Sequence, residues 1–413
     1  MKHLTKLAAV GAASMLGLAS AKAADLEVIH WWTSGGEQAA VTVFADEFDA
    51  RTPHNWVDTA IAGGANSRST TLQRILGGDP PGAAQFNISR QFEELAEAGM
   101  LLDLTDLAEE QGWRDVIRPS SILEVCEYDG RIFCVPVNIH SWQWGWASIP
   151  AYEQAGVDVP RNLSEFIETA PALQAAGITP FAIGGEGWQI SGAARVVLVS
   201  QLGKTGYDAI YEHRDLDVAG GQQVRDAIEI FKSLKQYTDD GSANRNWNDT
   251  TNLVLTHQAG LQIMGDWARG EFSLAGQTPG VDYACIAGPS ENPYLETGGD
   301  VFVFPKQSDA AMEEAQLALA GMMLDPQVQA SFNNAKGSLP VRDDVDMSIA
   351  DDCMKAGLEI LADPNRILPS PNMYFTEDTL GQMDDLWLEA WANPNLSTEE
   401  IQRRFVNIVA SAD

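Results

Sequence analysis

The sequence is short of positive charge, with 26 lysines and arginines against 58 aspartates and glutamates. That balance argues against nucleic acid and anionic membranes as partners, because both are bound chiefly through basic side chains. Only six histidines and four cysteines are present, with no H-E-x-x-H, C-x-x-C or H-x-x-x-H spacing, so a zinc site is not expected. No G-x-S-x-G nucleophile elbow occurs. Gly203-Lys204-Thr205 ends like a phosphate loop, but Leu198 stands where the leading glycine is required. Gly185-Glu186-Gly187 is followed by Ile190 where a dinucleotide fingerprint needs its third glycine. No internal repeat or low-complexity linker is visible, and no run approaches the roughly 18 apolar residues of a membrane span. Paired carboxylates of the glycosidase type are not excluded, since their separation is spatial.

What is there begins with an expected export signal over residues 1–23. Lys2 and Lys6 form a basic start, Leu7 to Leu18 an apolar stretch, and Ala21-Lys22-Ala23 a cleavage pattern. No cysteine follows the cut, so a lipid anchor is not expected, and the exported chain is expected to be soluble. The signal's three lysines are its only formal charges, leaving 23 basic against 58 acidic side chains, a net of −35. At 413 residues with 45% hydrophobic content, the chain is long enough for two packed domains. Cys126, Cys134, Cys285 and Cys353 form an even set in an exported protein, which allows three disulfide connectivities. Asp129-Gly130 is a strong hairpin turn between the first two. It favours Cys126–Cys134, with Cys285–Cys353 as the companion pair.

Strand-like and helix-like segments alternate. Leu26–Ile29, Thr59–Ala62 and Gly82–Phe86 read as strands. Val41, Phe44 and Phe48 mark one helix face, and Leu72, Ile75 and Leu76 another. This opening predicts a mainly parallel, doubly wound α/β sheet. Further on, Val135 to His140 reads as a crossing between lobes. Leu261–Met264 and Val301–Pro305 read as strands, and Lys336 to Arg342 as an irregular loop.

Aromatic residues with polar neighbours recur at element ends. His30-Trp31-Trp32-Thr33-Ser34-Gly35-Gly36-Glu37 follows the first strand, where open α/β sheets place ligands. Asn138 and His140 precede Trp142, Trp144 and Trp146. Gly184 to Gln189 carries Glu186 and Trp188, and Asp266 precedes Trp267. Indole faces pack on the C–H faces of sugar rings, while carboxylates, amides and cations take hydroxyl pairs. Each indole also has a plain packing reading, which is favoured for Trp142, Trp146, Trp387 and Trp391.

Five of these runs, in order, carry a family resemblance. Val28 to Glu37, Pro80 to Gln85, Val135 to His140, Met264 to Ala268 and Lys336 to Arg342 resemble periplasmic glucose/mannose-type sugar-binding proteins of ABC importers, a group of bacterial extracellular solute-binding proteins. The resemblance spans nearly the whole chain after the signal. It implies a two-lobed periplasmic binding protein fold, like that of maltose-binding protein, with a multi-strand hinge and a ligand cleft between lobes. The lobes would comprise residues 24–136 with about 288–345, and 137–287 with about 346–413. It implies that Trp31, Trp32 and Trp267 pack on the sugar, that Glu37 accepts its hydroxyls and that Lys336 donates to them. Asn138 and His140 match as either ligand contacts or hinge structure. Three positions depart from the family pattern. Asn87 stands where the family has a lysine. Gly299 stands opposite an aspartate, for which Asp300 substitutes after a one-residue shift. No histidine follows Pro369-Ser370. These losses point to a different sugar or a larger glycoside rather than glucose.

The resulting expectation is a periplasmic, monomeric substrate-binding protein that hands a mono- or small oligosaccharide to the membrane subunits of an ABC permease, with no cofactor and no chemistry. The alternatives are a secreted carbohydrate-active enzyme, with Glu37 as a candidate carboxylate, and a binding protein of the same fold for a charged solute, with Lys336 or Arg342 as counter-charge.

Overall fold

The computed structural model describes residues 23–89 and 91–412, so all but the last residue of the expected signal lies outside it. Strand β1 is Asp25–His30, whose Leu26, Val28 and Ile29 are fully buried. Ser34 then caps helix α1, Gly35–Arg51. The buried face of α1 is Ala40, Val41, Phe44 and Phe48, at the three- and four-residue spacing legible in the sequence. Strand β2, Asn55–Ala60, lies earlier than the expected Thr59–Ala62. It pairs only with β1, so much of it faces solvent, and the polar stretch Asn-Trp-Val-Asp-Thr-Ala lacks the apolar run that marks a buried strand. Helix α2, Gly64–Gly77, leads to β3, Ala83–Asn87.

The first sheet is ordered β2–β1–β3, then Asp300–Val303, then Cys134–Pro136. The three leading strands are parallel, as expected, but Asp300–Val303 runs antiparallel to both of its neighbours. The chain re-enters this sheet from the second one, from the opposite end, so the expectation of a mainly parallel sheet is corrected to a mixed one. The second sheet has the order Tyr283–Ala287, Trp144–Ser148, Ala259–Ile263, Thr179–Ala182, with only the last pair parallel. Helices cover both sheets, giving two α/β lobes.

Each lobe has an aromatic centre. In the first, Phe44 stacks on Phe332 at 4.1 Å, with Trp32 and Phe302 against them. In the second, Phe231 meets Trp387 and Trp391, both buried as packing residues. Trp144 and Trp146 stack at 5.5 Å in the interior.

The chain passes between the sheets after Pro136, again between Ala287 and Asp300, and a third time after Val341. On the last passage Ile367–Pro369 pairs with Leu295–Thr297, and Glu377–Ala392 packs on the long helix Gly187–Tyr211. Two of the five sequence runs meet at these crossings. Arg269, 2% exposed, donates to the carbonyls of Asn333 and Asn334 at the end of helix Pro326–Lys336 and to Asp351 at 2.7 Å. The Asn333 carbonyl also accepts from the Gly337 N–H at 3.0 Å, and the guanidinium adds a further donor to the helix's last turn. Gly337 closes that helix at φ +92°, and a Cβ there would lie 2.5 Å from the Asp266 carbonyl oxygen. Both disulfides are present: Cys126–Cys134 across the Asp129-Gly130 hairpin, and Cys285–Cys353, which ties the second sheet's edge to helix Asp352–Leu361.

Candidate functional site

The site is built where β1, β3 and Asp300–Val303 end and the chain first crosses to the second lobe. Successive residues leaving a strand point to opposite faces. Trp31 is accordingly half-buried, and its backbone N–H donates to Gln85 Oε1 at 2.9 Å. Trp32 turns the other way. It is 1% exposed and packs against Phe302 and Phe332 in the first lobe's core, with Lys336 Nζ 5.7 Å from its ring centre.

Glu37 has partners within the protein. Ser34 and Glu37 form a capping box. The Ser34 hydroxyl accepts from the Glu37 N–H, and Glu37 Oε2 accepts from the N–H groups of Ser34 and Thr33 at 3.3 and 3.2 Å. Its other oxygen, Oε1, lies 3.4 Å from Lys336 Nζ, and Lys336 is 2% exposed. Both groups are therefore already partnered to each other.

From Gln85 a hydrogen-bonded chain runs across the hinge. Gln85 Nε2 donates to Asp300 Oδ1 at 2.9 Å, and Asn138 Nδ2 donates to Asp300 Oδ2 at 2.9 Å. His140 stands between two carboxylates, Asp266 at 2.5 Å on Nδ1 and Asp300 at 3.1 Å on Nε2. Burial disfavours the imidazolium and Lys336 repels it, but Asp266 and Asp300 outweigh both and hold the His140 pKa above its ordinary value. Asp300 is pushed up by burial, yet His140, Lys336 and Asn138 bring it below the usual carboxylate range. Asp300 thus stands at the strand start, and Asn138 and His140 bond to it and, through His140, to Asp266.

The second lobe presents a corner of three indoles. Trp142 meets Trp267 edge-on at 5.0 Å, and Trp188 completes the group at 5.6 and 6.3 Å. His140 abuts Trp267 at 5.2 Å. Trp142, expected as packing, is half-buried in this corner instead. It can lie there because Gly192 on the neighbouring helix leaves no side chain in its way. Behind it, Arg195 pairs with Glu296 at 2.9 Å and lies 5.9 Å from the Trp142 ring. Burial pushes the Glu296 carboxyl up against the pull of Arg195.

Asn87, at the end of β3, accepts from Arg68 Nη1 at 3.0 Å. The Arg68 guanidinium lies 5.6 Å from the Trp31 ring centre and 3.7 Å from Glu377, on a helix of the second lobe. Arg342 is not part of this assembly. Its guanidinium is spent on Asp344 and the Leu324 carbonyl. The sequence reading named Asp266 only as the neighbour of Trp267 and Gln85 only as the end of a family run, favoured packing for Trp142, and did not single out Arg68. It also missed the capping box, although Ser-x-x-Glu before an apolar helix face is its signature.

Among the described residues no helix is long and apolar enough to cross a membrane. Two α/β lobes joined by three crossings, with aromatic and polar groups converging between them, are the architecture of a ligand-capturing protein. The chain belongs to the bacterial extracellular solute-binding protein family, whose model matches residues 32–330. It is 35% identical over 357 residues to a probable sugar-binding periplasmic protein of Rhizobium meliloti, covering 86% of this chain and 85% of that one. A protein of the same description from Brucella melitensis is 35% identical over 374 residues, covering 88% of each. Among solved structures, a chitin oligosaccharide binding protein superposes with a TM-score of 0.77 at 19% identity, over 94% of this chain and 99% of that one.

Proposed function

We propose that the chain is the periplasmic substrate-binding protein of an ABC importer, capturing a neutral mono- or small oligosaccharide between its lobes and delivering it to the permease. The observation that carries this reading is the cleft's composition. Flat indoles, Trp31 on one lobe and Trp142, Trp188 and Trp267 on the other, surround ion pairs with one carboxylate in excess. Lys336 faces Glu37, His140 faces Asp266 and Asp300, Arg195 faces Glu296, and Arg68 faces Glu377. An anionic solute would add to that excess, which is costly away from water. A neutral polyol supplies apolar C–H faces for the rings and hydroxyls for the amides and ions. The family membership and the names of the periplasmic relatives support the same reading.

Binding is expected to proceed by closure of two lobes about the three crossings, the sugar stabilising the closed state by its greater affinity for it. No bond is made or broken. Glu37, the carboxylate considered for hydrolysis, is committed to its helix cap and to Lys336. The test is intrinsic tryptophan fluorescence during titration with neutral mono-, di- and trisaccharides. A saturable change with at least one sugar is expected. No response to any sugar, with a saturable response to a charged solute, would overturn the proposal.

A further inference from the structure

Arg68 is a charged member of the cleft whose side chain is desolvated without being fully used. It sits in the first turns of α2, one fifth exposed, over the indole of Trp31. The local sequence makes the approach possible. Gly63 turns the chain at φ +85°, and Gly64 follows with no side chain. A Cβ on Gly64 would lie 3.0 Å from Arg68 Nη1 and 3.5 Å from the Trp31 ring, so a larger residue would crowd the point where cation and indole meet. Burial lowers the Arg68 pKa, partly offset by Glu377 and Asp300. A guanidinium carries five N–H donors. Among the described residues, Arg68 gives one good hydrogen bond, to Asn87 Oδ1 at 3.0 Å. Its approach to Glu377, at 3.7 Å to a carboxylate that is 55% exposed, is too long for a second.

Resting on the sugar reading above, we propose that Arg68 is a specificity-determining ligand contact, its free N–H groups donating to a pair of sugar hydroxyls beside the Trp31 ring while Asn87 fixes the guanidinium plane. The cationic hydroxyl donor of the first lobe then enters from α2, at the place where β3 ends in a neutral amide. Planar, two-pronged donation suits vicinal hydroxyls better than a point charge does.

The competing role is a clasp, in which Arg68 serves only to hold the lobes together through Glu377. Calorimetry on the full chain separates the two, with the sugar that the fluorescence panel selects. Arg68→Met is expected to weaken binding about 10- to 100-fold, the range for losing charged hydrogen bonds to a ligand. Arg68→Lys should recover only part of this. Glu377→Gln should cost much less affinity than Arg68→Met, as an exposed pair at that distance contributes little. A deoxy-sugar series adds a readout that a structural role would not move. The wild type should discriminate against the analogue lacking the hydroxyl that Arg68 reads, and Arg68→Met should not. Undiminished affinity in Arg68→Met with a sugar-binding wild type would overturn this proposal alone. So would an equal loss in Arg68→Met and Glu377→Gln. A wild type that binds no sugar would overturn the functional reading, and this inference with it.

Discussion

Replacing Trp267 by alanine should remove sugar binding while leaving the fold intact. The indole is half-buried and makes three aromatic contacts, with Trp142 at 5.0 Å, His140 at 5.2 Å and Trp188 at 6.3 Å. Aromatic pairs contribute about 0.5–1.5 kcal/mol each beyond their buried area. The two closer contacts therefore contribute roughly 1–3 kcal/mol to the stability cost, to which the ring's partly buried area adds, a cost the two lobe cores can bear because Trp267 has no central part in either. Removing an aromatic anchor from the middle of a binding site costs about 2 kcal/mol or more, or about 30-fold in Kd. Calorimetry of wild type and variant with the same sugar gives the affinity, and urea unfolding gives the stability. The expected pair of results is a Kd raised at least about 30-fold with a cooperative transition retained. Unchanged affinity would refute the placement of the sugar on this corner. Loss of both binding and cooperativity would refute the claim that the ring serves the ligand more than the fold.

The two disulfides should differ in value. Chain-entropy reasoning gives about 4.4 kcal/mol for Cys285–Cys353 and about 2.5 kcal/mol for Cys126–Cys134, from sequence separations of 68 and 8 residues. Serine pairs at each site, compared by urea unfolding, should keep that order, and a reversal would contradict it. Glu37→Ala should cost about 3 kcal/mol or more, because it strips the α1 cap and leaves Lys336 buried without its counter-charge. Adding Lys336→Met should recover much of the loss, and a cost below about 1 kcal/mol would show that the pair is not buried as described. His140 gives a pH signature. Its folded pKa is raised, so its contribution is whole below the unfolded value of about 6.5 and is lost as pH rises through the folded one. Asp300 is lowered, so its contribution is lost as pH falls through its folded value. Unfolding measured across pH should show the wild type weakening as pH rises above about 6.5, more steeply than His140→Gln; parallel curves would exclude the charged hinge.

Much of this was legible because it follows from local rules. The spacing of Val41, Phe44 and Phe48 named the face of α1 that is buried, and Asp129-Gly130 placed two cysteines across a hairpin. Adjacency hid a difference in environment. Trp31 and Trp32 read as a matched pair, yet strand alternation leaves one half-buried and buries the other beside Phe302 and Phe332. Glu37 read as a ligand carboxylate, and the cap it forms with Ser34 went unread although its three-residue spacing was in the sequence. Arg68 carried no signal of its own, because its place over Trp31 depends on how α2 returns across β1 and β3. Arg342 read as a possible anion contact, but Asp344, two residues on, holds it. Trp142 seemed one packing indole among several, and only the approach of Gly192 and Trp267 puts it in the cleft.

The central claim is a cleft of already paired ions, with one carboxylate in excess, that takes a neutral sugar. Calorimetric titration with a hexose and its uronate tests that most directly, since the two differ chiefly in one negative charge. The account predicts that the hexose binds at least about tenfold tighter than the uronate, the difference set by leaving an unmatched negative charge in the cleft. A uronate that binds as tightly as the hexose, or more tightly, would contradict it.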